Sequence, residues 1–216
     1  MRVLVACEFS GTVRDAFTRA GHYAMSCDLL PSETEGPHYQ GDVRDVLDDP
    51  WDLLVGHPPC TFLTNAASKW LFHPNDTALP VARRRRHPRY PNRWADMKTA
   101  AAFFRLLWDA PIPRIALENP VMHGHGRALI GRGHDQTFQP WHFGHGEVKR
   151  VCLWLKNLPP LVPTDVVEGR TPRVHRMPPG PDRQKERSRF FCGIADAMAA
   201  QWGSLSATHS GNASPS

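Results

Sequence analysis

Short apolar runs recur along this chain with room for one helix or one loop between them, and that alternation limits the possible folds more than any other feature. Arg2 to Ala6, Tyr23 to Cys27, Trp51 to Val55, Ile115 to Leu117 and Val151 to Leu155 each read as a short strand. After the first comes Ser10-Gly11, then an amphipathic stretch from Val13 to Ala20 that Gly21 stops. A polar loop leads on through Tyr39-Gln40-Gly41-Asp42-Val43. Trp94 to Trp108 sets Met97, Ala101, Phe104, Leu107 and Trp108 near one helical face, with Pro111 and Pro113 beyond it. From Arg187 onward a last helix is expected, with Ile194 to Trp202 as its body and Gly203 as its stop. Apolar runs interleaved with helices at this spacing predict an α/β fold: a Rossmann-like, doubly wound, mostly parallel sheet with a small irregular lobe.

Composition narrows the setting. The 216 residues are 41% hydrophobic and 22% charged, which suits one domain able to bury a core. No apolar run reaches the roughly 18 residues a membrane span needs, and Glu8 stands where a signal peptide would continue apolar. The five cysteines Cys7, Cys27, Cys60, Cys152 and Cys192 are odd in number, scattered, and contain no Cys-x-x-Cys pair. That argues against a disulfide framework and for reduced thiols in a bacterial or phage-infected cytoplasm. The formal charge of +5 fits a polyanionic partner without demanding one. Arg83, Arg84, Arg85, Arg86, Arg89 and Arg93 crowd into one stretch, either to contact phosphate or as a solvated, partly disordered loop.

The ends of the expected strands carry the chemistry. Trp51 to Val55 is followed by Gly56-His57-Pro58-Pro59-Cys60, where two prolines forbid helix or sheet and hold the cysteine on a stiff bend. In an open α/β sheet, ligands bind beyond the carboxyl ends of strands, so Cys60 reads as a nucleophile; a small packed hydrophobe is the plainer alternative. Gly11 allows a ligand close to the backbone, and Asp28, 17 residues on, can accept both hydroxyls of a ribose. Asp42 can accept a hydrogen bond from an adenine amino group, although Asp28 and Asp42 also suit helix caps or turns. Glu118-Asn119-Pro120 closes a further strand.

Taken in order, Gly11, Asp28, Gly41-Asp42-Val43, Pro58-Pro59-Cys60 and Glu118-Asn119-Pro120 resemble the motifs of the DNA cytosine-5 methyltransferases, in the compact form found in phage genomes. The resemblance covers roughly residues 2 to 120, and more faintly 147 to 203. It implies an S-adenosyl-L-methionine-dependent DNA cytosine C5-methyltransferase working through a covalent cysteine. Cys60 would add to C6 of a flipped-out cytosine, Glu118 would grip the base and Asn119 would hold the loop. Glu8, Phe9, Ser10, Gly11, Asp28, Leu29, Asp42, Val43 and Pro58 would face S-adenosyl-L-methionine, and the arginines from Arg83 to Arg93 would clamp DNA phosphates. Residues 1–121 would form the cofactor-binding and catalytic core, and 122–146 a short Gly/His-rich substrate-binding lobe. Residues 147–203 would complete the core with a strand, a Pro-rich extended segment and the C-terminal helix, leaving 204–216 as a disordered tail.

Some family features are altered. Proline follows Glu118-Asn119 in place of valine, and the Gln-x-Arg-x-Arg motif is reduced to Glu147-Val148-Lys149-Arg150, so Lys149 or Arg150 would replace its arginine. The family's large target-recognition region shrinks to the chain between Pro120 and His145, which points to a very short site or a partner protein that supplies recognition. Modification of a free pyrimidine nucleotide, or an inactive DNA- or partner-binding module, are the alternatives. His123, His125, His134, His142 and His145 lack the helical spacing of a catalytic zinc site, and no metal is expected.

Overall fold

The computed structural model describes residues 1–180 and 189–205. Its strands are β1 (Arg2–Ala6), β2 (Tyr23–Asp28), β3 (His38–Gln40), β4 (Leu53–Gly56), β5 (Arg114–Asn119), β6 (Gln136–Phe138) and β7 (Val151–Lys156). The helices are α1 (Thr12–Arg19), α2 (Arg93–Trp108), α3 (Gly124–Ile130), the single turn α4 (Arg173–Arg176) and α5 (Cys192–Gly203). All seven strands join one sheet in the order β3-β2-β1-β4-β5-β7-β6. The run from β3 to β5 is parallel, and β7 is antiparallel to both β5 and β6. The fold is therefore α/β, Rossmann-like, doubly wound and mostly parallel.

Each central strand feeds two cores because successive side chains point to opposite faces. Leu4, Ala6, Leu54, Ile115, Leu117, Cys152 and Trp154 belong to the core that holds Met97, Ala101, Phe104 and Leu107 of α2. Val3, Val5, Leu53, Val55, Ala116, Val151 and Leu153 face the other core, with Val13 and Phe17 of α1 and Ile194, Met198 and Trp202 of α5. Near-continuous apolar strands are what a sheet covered on both sides requires. No helix among the described residues is long and apolar enough to cross a membrane.

Three regular elements lie where the sequence reads as loop. β3 is a three-residue strand of partly exposed, mostly polar side chains, held to β2 by the pairs from Ser26–His38 to Asp28–Gln40. α3 contains two glycines, which disfavour helix in isolation. It forms because His123 caps it by accepting from the Gly126 amide at 3.1 Å, Gly131 ends it at φ 85°, and Ile130 is buried. β6 extends the main sheet as its edge strand beside β7. Residues 122–146 are thus partly built into the core. The arginine stretch is folded as well, around short 3-10 turns at Pro74–Asp76 and Val81–Arg83. Within the expected tail, Leu205 packs against the α1–α5 core; its residues 206–216, and 181–188 of the Pro-rich segment, lie outside the described residues.

One polar group organises the loop between β2 and β3. The Arg14 side chain on α1 is fully buried. It pairs with Asp15 at 2.8 Å, donates to the Ser26 and Ser32 hydroxyls at 3.1 Å each, and reaches the Thr34 and Glu35 carbonyls at 3.3 and 2.9 Å. A buried guanidinium is tolerable only when its donors are met this fully. Arg14→Ala leaves those acceptors unpaired and is expected to lower stability by roughly 3 kcal/mol, read as a fall in the urea midpoint, with faster proteolysis of the loop from Leu29 to Pro37.

Candidate active site

The order of the sheet reverses between β1 and β4, since β2 and β3 lie to one side and β5 to the other. A crevice beyond the carboxyl ends of the strands opens at such a reversal. The register Ala6–Gly56 and Gly56–Leu117 aligns the exits of β1, β4 and β5 on one edge. Because β7 runs antiparallel, with Cys152 opposite Asn119, its first residues and the preceding Lys149 and Arg150 reach that same edge.

Cys60 is half-buried on the loop after β4 and takes part in no disulfide. The loop is tied from three sides. The Asn119 carboxamide, fully buried, donates to the Pro58 carbonyl at 2.8 Å. The Leu63 and Thr64 amides donate to the Cys60 carbonyl at 3.0 and 3.2 Å, and the His123 amide to the Leu63 carbonyl at 3.0 Å. Arg93 donates to the Thr61 carbonyl at 2.7 Å and stacks its guanidinium 4.4 Å from the Phe62 ring. Three other cysteines lie in or against the core. Burial pushes the Cys27 thiol up to about 12, and also raises those of Cys7 and Cys152, so their thiolates are inaccessible near neutrality.

Glu118 stands near the end of β5, 13% exposed, with its Oε2 3.6 Å from His57 Nδ1. Burial alone would raise its carboxyl, but the neighbouring His57 ring and the charge of Lys149 outweigh it and hold the group below the usual carboxylate range. Of the two candidate basic residues, Lys149 is the one whose charge acts on Glu118; Arg150 is exposed, and its charge acts on Cys152. His57 drew no attention in the sequence because a lone histidine has no spacing signal. The available clue was its place as the last side chain before two prolines at a strand end.

The residues expected to face a cofactor divide into open and closed groups. Asp28 and Leu29 end β2 on the surface, Leu29 73% exposed, with Asp28 accepting from the Leu30 amide at 2.9 Å in a turn. Asp42 caps a 3-10 turn by accepting from the Arg44 amide at 3.0 Å, and also pairs with the Arg44 side chain at 2.7 Å. Phe9 is half-buried, and its carbonyl accepts from the Glu33 amide at 2.9 Å. Glu8, Ser10, Val43 and Pro58 are buried. Glu8 accepts from the Val13 and Arg14 amides at 2.7 and 3.2 Å, and so meets the open donors at the start of α1. Gly11 turns at φ 74°, and a side chain there would meet Arg14 and Thr34.

The arginines also divide. Arg85 grips the buried Asp76 through both of its carboxylate oxygens, at 3.0 and 2.7 Å, and holds that carboxyl down to about 2. Arg84 donates to the Thr77 and Leu79 carbonyls, and Arg93 to the Cys60 loop. Arg83, Arg86 and Arg89 are exposed. The histidines serve separate local roles: His123 caps α3, His145 accepts from the Gly193 amide at 2.9 Å, and His134 packs on Trp154. No group of three or more His, Cys, Asp or Glu among the described residues is arranged to hold a metal ion.

No protein-family model and no curated protein sequence matches the chain. Solved structures similar in layout include a protein designated a DNA modification methyltransferase encoded within an E. coli prophage, at 14% identity and TM-score 0.42 over 72% of this chain and 46% of that one. Others are the Entamoeba histolytica methyltransferase EhMeth (12%, 0.45, over 83% and 60%) and the S. pombe Dnmt2 methyltransferase (13%, 0.39, over 74% and 51%). The chain spans roughly half the length of these proteins. Resemblance this partial says nothing of what the chain acts on.

The depressed Glu118 carboxyl makes a linkage prediction. Its contribution to stability is fully present above the unfolded carboxylate range and is lost as pH falls through the lower folded value. Urea unfolding at a series of pH values should show wild type losing stability relative to Glu118→Gln as pH drops below about 4.5.

Proposed function

We propose that this chain is an S-adenosyl-L-methionine-dependent transferase acting at C5 of cytosine in DNA, through a covalent bond to Cys60. The observation that carries the reading is joint placement. A cysteine on a proline-stiffened loop and a carboxylate flanked by an imidazole and an ammonium exit neighbouring strands at the reversal of the sheet.

The donor set suits the cofactor at its nucleoside end. Asp28 and Asp42 offer partly exposed carboxylates to a ribose diol and an adenine amino group, and the exposed Leu29 offers an apolar face beside them. Phe9 and Pro58 follow β1 and β4 where these strands leave the sheet, with Pro58 buried and Phe9 half-buried. When bound, the cofactor supplies the electrophilic methyl carbon that the activated ring takes.

The chain's own residues do the activation. C5 of cytosine is a weak nucleophile until a thiolate adds at C6, and Cys60 supplies that thiolate. Glu118 accepts from the 4-amino group and stands beside N3, where charge develops as the sulfur bonds. Asn119 keeps the Cys60 loop in register with Glu118 through its bond to Pro58. Lys149 fills the place of the family's missing arginine by holding the carboxylate side of the site positive. The exposed Arg83, Arg86 and Arg89 stand on the stretch that Arg93 joins to the Cys60 loop, well placed for phosphates flanking a flipped base in a cytoplasmic DNA substrate. With α3 and β6 taking part of residues 122–146, little chain remains to read sequence, which favours a very short site or a partner protein.

The experiment is covalent trapping. Incubated with 5-fluorocytosine DNA and S-adenosyl-L-methionine, wild type should give a protein–DNA adduct stable to denaturation, and Cys60→Ala should give none. An adduct surviving in Cys60→Ala would reject the assignment.

A further inference from the structure

His57 has a geometry to which the function proposed above gives no chemical role. Its Nδ1 faces Glu118 at 3.6 Å, and its side chain is 13% exposed. Its Nε2 is buried with no hydrogen-bond partner among the described residues. A histidine kept for packing alone ordinarily satisfies both ring nitrogens when buried. Here one nitrogen faces the carboxylate of the site, 3.6 Å from it, and the other has no hydrogen-bond partner among the described residues.

The surroundings keep this pair apart from solvent. Phe190, in the chain leading into α5, packs its ring 4.7 Å from the imidazole. That chain is held across the sheet edge by Arg189, which grips both Glu33 oxygens at 2.6 and 3.1 Å. Phe191 next to it lies 5.6 Å from the Lys149 ammonium. The charged and titratable groups around the pair are Lys149 before β7, the Cys152 thiol on β7, which feels both Glu118 and Arg150, and Cys60 in the same loop as His57.

The reaction places a demand on Glu118 that a bare carboxylate cannot meet. When the Cys60 sulfur bonds to C6, the C5=C6 electron pair shifts toward C5 and, through C4, onto N3. N3 then needs a proton, and an ionised Glu118 has none to give. We propose that His57 is a positioning residue for Glu118 in the cytosine reaction on which this inference rests: it fixes the carboxyl and hands it the proton that N3 takes. The proton passes from His57 Nδ1 to Glu118 and from Glu118 to N3, leaving a neutral imidazole. Once the ring has taken the methyl group, the C5 hydrogen leaves as a proton to water and the C6–S bond breaks, so that C5=C6 re-forms with Cys60 released as the thiolate; the proton on N3 returns by the same path. No oxidant or reductant enters.

The test uses the full chain with two variants and two readouts. Carbon-13 NMR follows the Glu118 carboxyl titration without substrate, its resonance assigned by loss in Glu118→Gln. In His57→Gln the burial of Glu118 is opposed by Lys149 alone, so the titration midpoint should rise by about one unit or more. Methyl transfer to DNA in His57→Gln should fall roughly 100-fold near neutrality, with the alkaline limb of the pH profile moved to lower pH and activity partly regained in acid. His57→Asn, whose amide nitrogen falls near the position of Nδ1, should restore the carboxyl midpoint toward wild type without restoring the alkaline limb. A uniform loss of activity with an unmoved profile and midpoint overturns the proposal, since a packing role gives that result. A wild-type chain that transfers no methyl overturns the reaction itself; a midpoint that still rises in His57→Gln would then mark a coupled pair with no catalytic relay, and the proposal falls with it.

Discussion

The hydrogen bond from the Asn119 carboxamide to the Pro58 carbonyl, 2.8 Å long and wholly buried, joins the loop after β4 to the end of β5. Everything placed at this edge depends on that junction. The two prolines stiffen the loop but do not aim it; a bond to the neighbouring strand does. Because Gly56 and Leu117 pair in register, Glu118 and Asn119 emerge level with His57 and Pro58. One side chain of β5 therefore anchors the loop while its neighbour offers a carboxylate. A parallel sheet with a reversal in its order provides the crevice, and this bond decides which groups line it.

The electrostatics of the edge follow from burial. Burial raises the Glu118 carboxyl, and His57 and Lys149 more than offset it. Two other buried charges obey the same rule. Arg14 is sunk beneath the turn at Gly11 and satisfied by the loop it organises, while Asp76 is bracketed by Arg85. Both of these buried ions stand where an otherwise irregular segment has to be shaped.

Much of this was legible in the sequence. The central strands, α1, α2 and α5 are visible as apolar periodicity, because in a sheet covered on both faces burial alone dictates the pattern. Cys60, Glu118 and Asn119 could be singled out because punctuation by proline and strand ends marks them. What escaped rests on contacts between distant segments. α3 is capped by His123, whose ring also meets the Phe62 carbonyl, and no local propensity foretells a helix with two glycines. β3 has too few residues to show a period. The partners of His57, on β5 and in the chain before α5, lie 61 and 133 residues away. The arginine stretch reads as one basic patch, yet Arg84, Arg85 and Arg93 hold their own loop together, and only folding separates them from Arg83, Arg86 and Arg89.

The claim beneath all of this is that the strand-end edge holds a nucleoside sulfonium beside Cys60. Titration calorimetry with S-adenosyl-L-methionine tests it before any acceptor is chosen. The account predicts saturable binding at one site per wild-type chain, weakened about tenfold or more by Asp28→Ala, which removes the acceptor for the ribose hydroxyls. Absence of binding to the wild-type chain, or binding that Asp28→Ala leaves unchanged, would contradict it.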